Sequence, residues 1–316
     1  MKNKENTKMK ESQNVEMEGG LIDTALHLNM PSPIVTIYYM DFMKTEDQTE
    51  TSSEAFPMSS LDLKIFPRHV NAEEFRVSAG MTDEQLNDML TYHNINGIES
   101  LYPTLCNEMR LGIEKRLYQK YVELGIANAE SKKSNWFKCI EKMFKTSLPS
   151  YSESIASRLL VLSNRIGADG RMGQANFAIV SRLMLTEIQN DSRYVFAKSR
   201  DSISTTAYTL VGHLPNMAIY VSNIDQWDSE QIVIGRTPRE KEPGVYYCEY
   251  ENEFIKVTDE MSIHSGSPRT RVVRDHKCLL VSRHAIVGVG NNPSVFYYAE
   301  NLRIGKKPWW RKLFKL

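Results

Sequence analysis

The sequence predicts an α+β fold in which the helices come early and the strands come late along the chain. One observation is a long segment before residue 125 whose apolar residues recur every three or four positions, as on one face of a helix. The other is a series of β-branched and aromatic runs after residue 175, which are typical of strands. We find no internal repeat and no alternation of strands with helices, so this order favours the α+β class.

The 316 residues are 41% hydrophobic and 25% charged, which is enough to bury a sizeable core in two or three compact units. Lysine plus arginine equals aspartate plus glutamate, 39 against 39, so the whole molecule lacks the basic excess that binds nucleic acid through counterion release. The first residues lack the apolar stretch of a signal peptide, and no apolar run is long enough to span a membrane. We therefore expect a protein that stays in cytosol-like surroundings and requires no membrane.

The chain begins with a polar arm. Residues 1–30 have low apolar density, and we predict a mobile arm that becomes ordered only against a partner. Residues 33–40 form a β-branched and aromatic run and predict a strand. The segment 45–60 is too polar to pack and too long for a tight turn, which indicates a functional or disordered loop. It contains no positive residue and four acids, at Glu46, Asp47, Glu50 and Glu54.

Two helices are predicted next. Thr82 and Gln85 form a capping box, so a short helix runs from there to about Leu90. A long amphipathic helix of about 40 Å follows, with Pro103 in its first turn and Gly125 as its C-cap. Its apolar stripe consists of Ile98, Leu101, Leu105, Met109, Ile113, Leu117, Tyr121 and Leu124.

The later elements are shorter. We predict a polar connection at 126–150 with a short helix at 136–144, an amphipathic helix at 151–162 and another at 181–188. A turn formed by Gly167, Gly170, Arg171 and Gly173 leads into a strand, and it has neither P-loop nor dinucleotide-binding spacing. Strands are predicted at 176–180, 217–221, 231–234, 244–254, 277–289 and 295–299.

The candidate chemistry centres on Cys248, which lies in the aromatic run GVYYCEYENEF. A thiol needs a base to act as a nucleophile at neutral pH, and His264, His276 and His284 follow it. No Gly-rich elbow and no helix start accompanies Cys248, so we favour a small buried group in a sheet. The four cysteines form no CxxC pair and the seven histidines show no ligand spacing, so we expect no disulfide framework, metal or cofactor.

The C-terminal tail, residues 303–316, has six positive side chains, three aromatic side chains and no acid. This composition suits a membrane surface or nucleic acid. It suits equally a terminal peptide whose Trp309 and Trp310 dock into a groove while the lysines stay solvated. No residue spacing in the tail is specific to a motif that recognises nucleic-acid bases.

Six segments stand in a particular order along the chain: PSPIVTIYYMDF, FRVSAGMTDEQLNDMLTYHNINGIESLYPTLCNEM, RMGQANFAIVS, MAIYVSNIDQWDSEQIVIGR, GVYYCEYENEF and SPRTRVVRDH. Taken together, they resemble the major capsid proteins of tailed bacteriophages, in particular the T-even type of myovirus head protein. The resemblance covers residues 31–298. Each segment alone is a weak match, but their shared order is specific.

The resemblance implies the Hong Kong 97-type capsid fold, with Cys248 in a strand of the peripheral domain. The implied units are an N-terminal arm at 1–30, a strand and extended loop at 31–80, a peripheral domain with a spine helix at 81–160, an axial domain at 161–243, return strands of the peripheral domain at 244–300, and a tail at 301–316.

The resemblance also implies a structural virion protein that is not an enzyme. Such a protein assembles with copies of itself into hexameric or pentameric capsomers of an icosahedral or prolate head around double-stranded DNA. Scaffold, portal and decoration proteins are the other implied partners, the packaged DNA is contacted non-specifically, and assembly takes place in the host cytoplasm.

We expect the acidic loop to contact cations on an adjacent subunit, because it contains no cation of its own. Two clusters are candidates: Arg269, Arg271 and Arg274, or Arg236, Arg239 and Lys241.

The chain also departs from the family pattern. It is short, it has Cys248 and Glu249 in place of a proline, and residues 16–18 lack the apolar residue expected before a maturation cleavage. A minor vertex protein of the same fold, an encapsulin-like compartment shell and a Cys/His hydrolase using Cys248 therefore stay as alternatives.

Overall fold

The structure is a computed structural model that describes residues 10–14, 19–45, 60–131, 155–197, 207–223, 231–263 and 271–301. The helices are α1 (Asp83–His93), α2 (Gly97–Ser131), α3 (Ile155–Gly170) and α4 (Arg182–Gln189), with short 3-10 turns at Gly20–Thr24 and Pro293–Phe296. The strands are β1 (Lys10–Asn14), β2 (Leu26–Asn29), β3 (Ile34–Thr45), β4 (Ser60–Asn71), β5 (Glu73–Thr82), β6 (Phe177–Val180), β7 (Val195–Phe196), β8 (Tyr208–Leu214), β9 (Met217–Ser222), β10 (Gln231–Gly235), β11 (Gly244–Ile263), β12 (Arg271–Val289) and β13 (Tyr297–Asn301).

These strands form two sheets and a separate hairpin. The first sheet has the order β1-β11-β12-β5, and β2 also pairs with β11, in parallel. The second sheet has the order β13-β10-β6-β9-β8-β7, with one parallel pair, β6–β9. The hairpin consists of β3 and β4. Helices combined with mostly antiparallel sheets agree with the predicted α+β class, although five strands, β1 to β5, precede the first helix, contrary to the predicted order.

The long amphipathic helix is confirmed as α2, and the predicted stripe is its buried side. The stripe residues from Leu105 to Tyr121 are almost fully buried against both sheets. The helix has 35 residues, so it is about 52 Å long, which exceeds the predicted length. Pro103 lies in its second turn and not, as predicted, in its first.

Gly125 does not cap α2, contrary to the prediction, because the helix continues to Ser131. A Cβ atom on Gly125 would lie 2.6 Å from the backbone nitrogen of Ala299 in β13. The glycine is therefore required for close packing of the helix on a strand. Three residues further on, the Asn128 amide donates a hydrogen bond to the Tyr297 carbonyl at 2.8 Å.

Strand β11 separates two cores, because alternate side chains of a strand point to opposite faces. Val245 and Tyr247 face α2, whereas Tyr246 and Cys248 face the β3–β4 hairpin. A third core lies between the second sheet and helices α3 and α4. The predicted burial of Cys248 in a sheet is confirmed.

The prediction that the whole arm orders only against a partner is wrong for residues 10–14, which pair with β11 of the same chain, and for residues 19–30. Leu21 is fully buried in the core beneath α2, and Ile22 and Ala25 are buried beside it. Strand β2 then pairs with β11 of the same chain. The few apolar residues of this segment are sufficient because all of them are inserted into an existing core.

Helix α3 extends further than predicted and includes Gly167 and Gly170, so only Arg171 and Gly173 of the predicted turn lie beyond the helix. The predicted helix at 136–144 and the tail at 303–316 lie outside the described residues. Strands β1, β2, β4, β5, β7 and β8 were not predicted. Within the described ranges, no helix combines the length and apolar content needed to cross a bilayer.

Candidate functional site

The β3–β4 hairpin is the candidate assembly element. Its register pairs Ile34 with Asn71 at one end and Thr45 with Ser60 at the other. Strands of 12 residues at about 3.3 Å per residue make the hairpin about 40 Å long. The acids lie outside the described residues, in the connection between the two strands: Glu46, Asp47, Glu50 and Glu54.

One end of the hairpin is packed on the first sheet. Ile37, Tyr39 and Val70 are buried on its inward face, in the same cluster as Tyr246 and Cys248. This packing follows from strand alternation, since Ile37 and Tyr39 are two residues apart and Val70 pairs with Val35 on the same face. The base of the hairpin is therefore part of the core.

Polar contacts fix the direction of the hairpin at this base. The Met40 N–H donates to the Lys241 carbonyl at 2.9 Å. The Asn291 N–H donates to Asp41 Oδ2 at 3.0 Å, and the Tyr39 hydroxyl donates to Asn291 Oδ1 at 3.4 Å. Two neighbouring turns thus hold the strand β3 near its middle.

The outward face of the hairpin carries three exposed apolar side chains beside polar ones, among them Thr36 and His69. Ile34, Tyr38 and Ile65 are 65%, 61% and 67% exposed. They share one face because Ile34 and Tyr38 are four residues apart and Ile65 pairs with Met40. Exposed apolar groups gathered on one face are typical of an interaction surface.

The first cation cluster lies in the turn between β10 and β11, and its three members are not equivalent. Arg236 is only 6% exposed, and its guanidinium binds Glu242 at 2.7 Å in the same chain. Arg239 and Lys241 are exposed. We therefore leave Arg236 out of the candidate intersubunit set and retain the other two.

The second cation cluster lies at the start of β12. Arg271 and Arg274 belong to this strand, where the register pairs them with Ile263 and Glu260, whereas Arg269 lies outside the described residues. Because Gly244 pairs with Val289 at the other end of the β11–β12 ribbon, the two cation clusters occupy opposite ends of the ribbon.

The predicted axial-domain turn is a helix end and not a ligand cradle. The Arg171 N–H donates to the Gly167 carbonyl at 3.0 Å, and Arg171 has a φ of 54°, which closes the helix in the left-handed region. Gly170 packs on the ring of Phe296, and Gly173 has a φ of 114°. Arg171 and Gly173 therefore allow the chain to turn after the helix, and Gly170 allows close packing on Phe296.

Cys248 does not have the surroundings of a nucleophile. It is fully buried, and burial raises the pKa of its thiol to about 12, so the thiol stays protonated at neutral pH. His276 binds Asp83 at 2.7 Å. His284 contacts the ring of Tyr247, on the opposite face of β11 from Cys248. His264 lies outside the described residues.

A buried carboxylate on α2, Glu114, was not predicted. Its Oε1 accepts the N–H of Leu21 at 3.0 Å, and its Oε2 accepts the N–H of Ala207 at 2.7 Å and of Tyr208 at 3.2 Å. Burial raises the pKa of the Glu114 carboxyl, whereas these three donors and the charge of Arg110 lower it. The one feature of the sequence that could have indicated this buried group is the position of Glu114 directly after Ile113 of the apolar stripe.

His284 is the second buried polar group that was not predicted. Its Nδ1 contacts Ser282 Oγ at 2.8 Å, whereas its Nε2 has no hydrogen-bond partner among the residues that the structure describes. Its ring stacks on Phe75 with centroids 4.5 Å apart. Burial, and secondarily the charge of Arg116, lowers the pKa of His284 to about 4.

His284 borders a cleft of about 270 Å³ between α2 and β12, where β5 begins. Charged side chains of both signs line the cleft, namely Glu73, Arg116, Lys120 and Glu123. Arg116 binds Glu73 at 3.4 Å, and Lys120 binds Glu123 at 2.9 Å. Among the described residues, no group of three or more His, Cys, Asp or Glu side chains is placed to hold a metal ion.

Comparisons with known proteins agree with this architecture. A family model described as "Major capsid protein Gp23" matches residues 2–270. The comparison with curated proteins gave no match. A solved chain from Microbacterium phage Oxtober96 is 10% identical with a TM-score of 0.51, and the match covers 92% of this chain and 93% of that chain. One from Mycobacterium phage Adephagia is 9% identical with a TM-score of 0.50, and the match covers 92% of each chain. The capsid of Myoviridae phage XM1 is 8% identical with a TM-score of 0.44, covering 92% and 95%.

The resemblance to solved phage chains extends over nearly the whole length, so the chain has the Hong Kong 97-type capsid fold. The family match covers most of the sequence and concerns structural proteins of the virion. The chain therefore belongs to the Gp23 family of bacteriophage major capsid proteins.

Proposed function

We propose that this capsid protein assembles into hexameric and pentameric capsomers that tile a closed head around double-stranded DNA. The observation that supports this proposal best is the β3–β4 hairpin, which is about 40 Å long, is fixed at one end and exposes Ile34, Tyr38 and Ile65 on one face. A contact between two different surfaces of identical subunits closes into rings when the rotation between neighbours closes. The hairpin is suited to be one of those two surfaces.

We assign the units of the fold as follows. The first sheet with α1 and α2 is the peripheral domain, and α2 is its spine. The second sheet with α3 and α4 is the axial domain around which a capsomer closes, and β13 adds the last described strand of the chain to it. The hairpin is the extended loop that lies over a neighbouring subunit, and the first 30 residues are the N-terminal arm.

The acidic connection of the hairpin is directed to a neighbour and not to its own chain. Lys241 contacts the hairpin at Met40, and the paired strand continues for five more residues to Thr45. Five residues of strand span about 17 Å, which is roughly twice the screening length near physiological salt. The acids begin beyond that point, so pairing with the turn of the same chain is disfavoured.

We propose the cluster of Arg269, Arg271 and Arg274 on the adjacent subunit as the preferred partner of this acidic connection. The other cluster is weakened, because Arg236 is buried and Glu240 and Glu242 lie beside Arg239 and Lys241. Contacts between exposed charges of this kind steer and orient association more than they add affinity.

Assembly of charge variants tests this proposal. Light scattering and negative-stain microscopy of the purified chain should show capsomers or shells, forming more slowly as ionic strength rises. Changing the four acids to Gln or Asn should slow assembly by a similar amount. Changing them to Lys should block assembly, and Arg269→Glu, Arg271→Glu and Arg274→Glu together should restore part of it.

The matched comparison is the pair Arg239→Glu and Lys241→Glu on the same charge-reversed chain, which should restore nothing. Rescue by this pair alone would move the contact to the other end of the β11–β12 ribbon. Assembly of the neutralised chain at the wild-type rate in low salt, with no rescue by either set, would rule out the charge contact. A folded chain that forms no capsomers or shells would overturn the assembly proposal itself.

We also propose that the packaged DNA is held non-specifically and that scaffold, portal and decoration proteins are the other partners during assembly in the host cytoplasm. Zero net charge supports the first point, because a strongly cationic lining would bind the DNA through counterion release and oppose its exit. Shells purified from infected cells should contain DNA. A protein cargo in its place would favour an encapsulin-like compartment.

A further inference from the structure

Glu114 joins three segments that are far apart in the sequence. It lies in the middle of α2, and one of its oxygens binds the N-terminal segment, which we define as residues 19–25. Its other oxygen binds the backbone at Ala207 and Tyr208, where β8 of the second sheet begins. The side chain is fully buried, so no solvent replaces a donor that leaves.

We propose that Glu114 is a two-sided latch through which the seating of the N-terminal segment and the docking of β8 on α2 reinforce each other. Each side holds the carboxylate plane in the orientation that the other side requires. When Leu21 leaves, Oε1 remains buried without that donor, and the carboxylate loses the contact that fixed its orientation toward Ala207 and Tyr208. Such coupling is reciprocal by thermodynamic necessity.

The close approach at Gly20 makes the latch specific for this segment. Gly20 has a φ of 67°, and a Cβ atom at this position would overlap Glu114 Oε1. A side chain at residue 20 therefore cannot be accommodated while Leu21 donates to Glu114. Gly19 also has a positive φ, of 90°, but a Cβ atom there meets nothing within 4 Å. The two glycines thus form a matched pair for a test.

Hydrogen exchange followed by mass spectrometry on the full, unassembled chain measures both sides of the latch. In Gly20→Ala we expect amide exchange to accelerate about tenfold or more in residues 19–25 and also in residues 207–214. The added Cβ atom would also lie 3.4 Å from the Tyr208 carbonyl oxygen, so the Glu114→Gln variant described below separates the latch from this direct contact. Gly19→Ala also introduces backbone strain, at φ 90° and ψ 173°, but without the overlap, so its effect on residues 207–214 should be several-fold smaller. Gly112→Ala, also on α2, places its methyl group in open space and should change neither segment.

Glu114→Gln tests the latch from the other direction. An amide has one acceptor oxygen and one NH₂ donor, so in either orientation it faces one set of N–H groups with a donor. We expect faster exchange on both sides in this variant.

Fast exchange of residues 19–25 with unchanged exchange of residues 207–214 would overturn the coupling. Unchanged exchange of residues 19–25 in Gly20→Ala would overturn the requirement for the close approach to Glu114. If Glu114→Gln does not fold, the glycine pair still decides. The measurement needs no assembly, so its outcome is independent of the capsomer proposal.

Discussion

Lowering the pH from 7 to 4 should destabilise the folded chain through His284. This histidine is buried and its pKa is lowered to about 4, mainly by burial and secondarily by Arg116, whereas an unfolded chain gives it a pKa of about 6.5. Below pH 6.5 the unfolded state therefore takes up a proton that the folded state does not bind. The free energy of unfolding must fall across this window, because stability decreases wherever the unfolded state binds more protons.

The size of the effect follows from the gap between the two pKa values, which corresponds to about 3 kcal/mol. The free energy of unfolding includes this full amount above pH 7, where His284 is uncharged in both states, and loses it as the pH falls towards 4. The groups that surround the ring are Phe75, Tyr247 and Ser282, with Arg116 at the cleft. Glu73, Lys120 and Glu123 line the same cleft, and the two acids are paired with its cations.

Urea unfolding followed by circular dichroism between pH 4 and 7.5 measures this contribution as a difference between two chains. Wild type should lose about 3 kcal/mol more than His284→Gln over this range, because other titrating groups cancel in the comparison. The exposed His93 provides the control, because His93→Gln removes a histidine without altering the core. Equal slopes for wild type and His284→Gln would show that the folded chain accepts a charged His284, and the reasoning from burial would fail.

Three further predictions test the core. Cys248→Ala should cost about 1 kcal/mol and leave assembly close to wild type, whereas a selective loss of hydrolytic activity in a folded variant would contradict its space-filling role. Ile113→Asp places an unpaired charge in the core beneath α2 and should give insoluble protein, so a soluble and assembled variant would show that the stripe faces water. Gly125→Ala should lower the melting temperature because its methyl group meets the backbone of Ala299. Gly112→Ala is the control and should raise the unfolding free energy by up to about 1 kcal/mol. Equal effects of the two substitutions on stability would refute the close contact between Gly125 and β13.

The extent of α2 illustrates what the sequence could predict and what it could not. Its stripe was predicted correctly because a periodicity of three and four depends only on the geometry of the helix itself. Its end was not, because glycine is the commonest residue after a helix and Gly125 matched that pattern. The glycine at position 125 is explained by Ala299, which packs against the helix from a strand near the other end of the chain.

The first sheet contained a signal that was present but not used. Phe75, Val77 and Ala79 alternate with polar residues in β5 and pack against the core beneath α2, so a period of two predicts this strand. Glu114 is a different case. Its partners are backbone N–H groups, which every residue but proline possesses, so no side-chain pattern could identify them.

The family resemblance could assign the fold, but it could not decide which cations are exposed. Arg236 is buried, and its guanidinium binds Glu242 in the same turn. Spacing alone does not distinguish this ion pair from a free cation, since Arg239 and Lys241 stand at equivalent places in the same turn. Contacts that depend on a turn's conformation require coordinates.

The pairing of the chain's first strands with its late ones has a consequence for synthesis on the ribosome. Strand β1 pairs with β11, with Lys10 opposite Val257. Strand β2 also pairs with β11, with Leu26 opposite Tyr246. Helix α2 likewise packs on β13, which ends at Asn301. At about 5 to 20 residues per second, tens of seconds separate the emergence of β1 from that of its partner strand.

During this interval the apolar stripe of α2 has no complete partner, and the hairpin has no base on which to pack, because Tyr246 and Cys248 have not yet been made. A chain that ends before β11 therefore lacks the fixed hairpin that we propose as the contact with a neighbour. If that proposal holds, chains truncated before β11 should be unable to join an assembly through this surface.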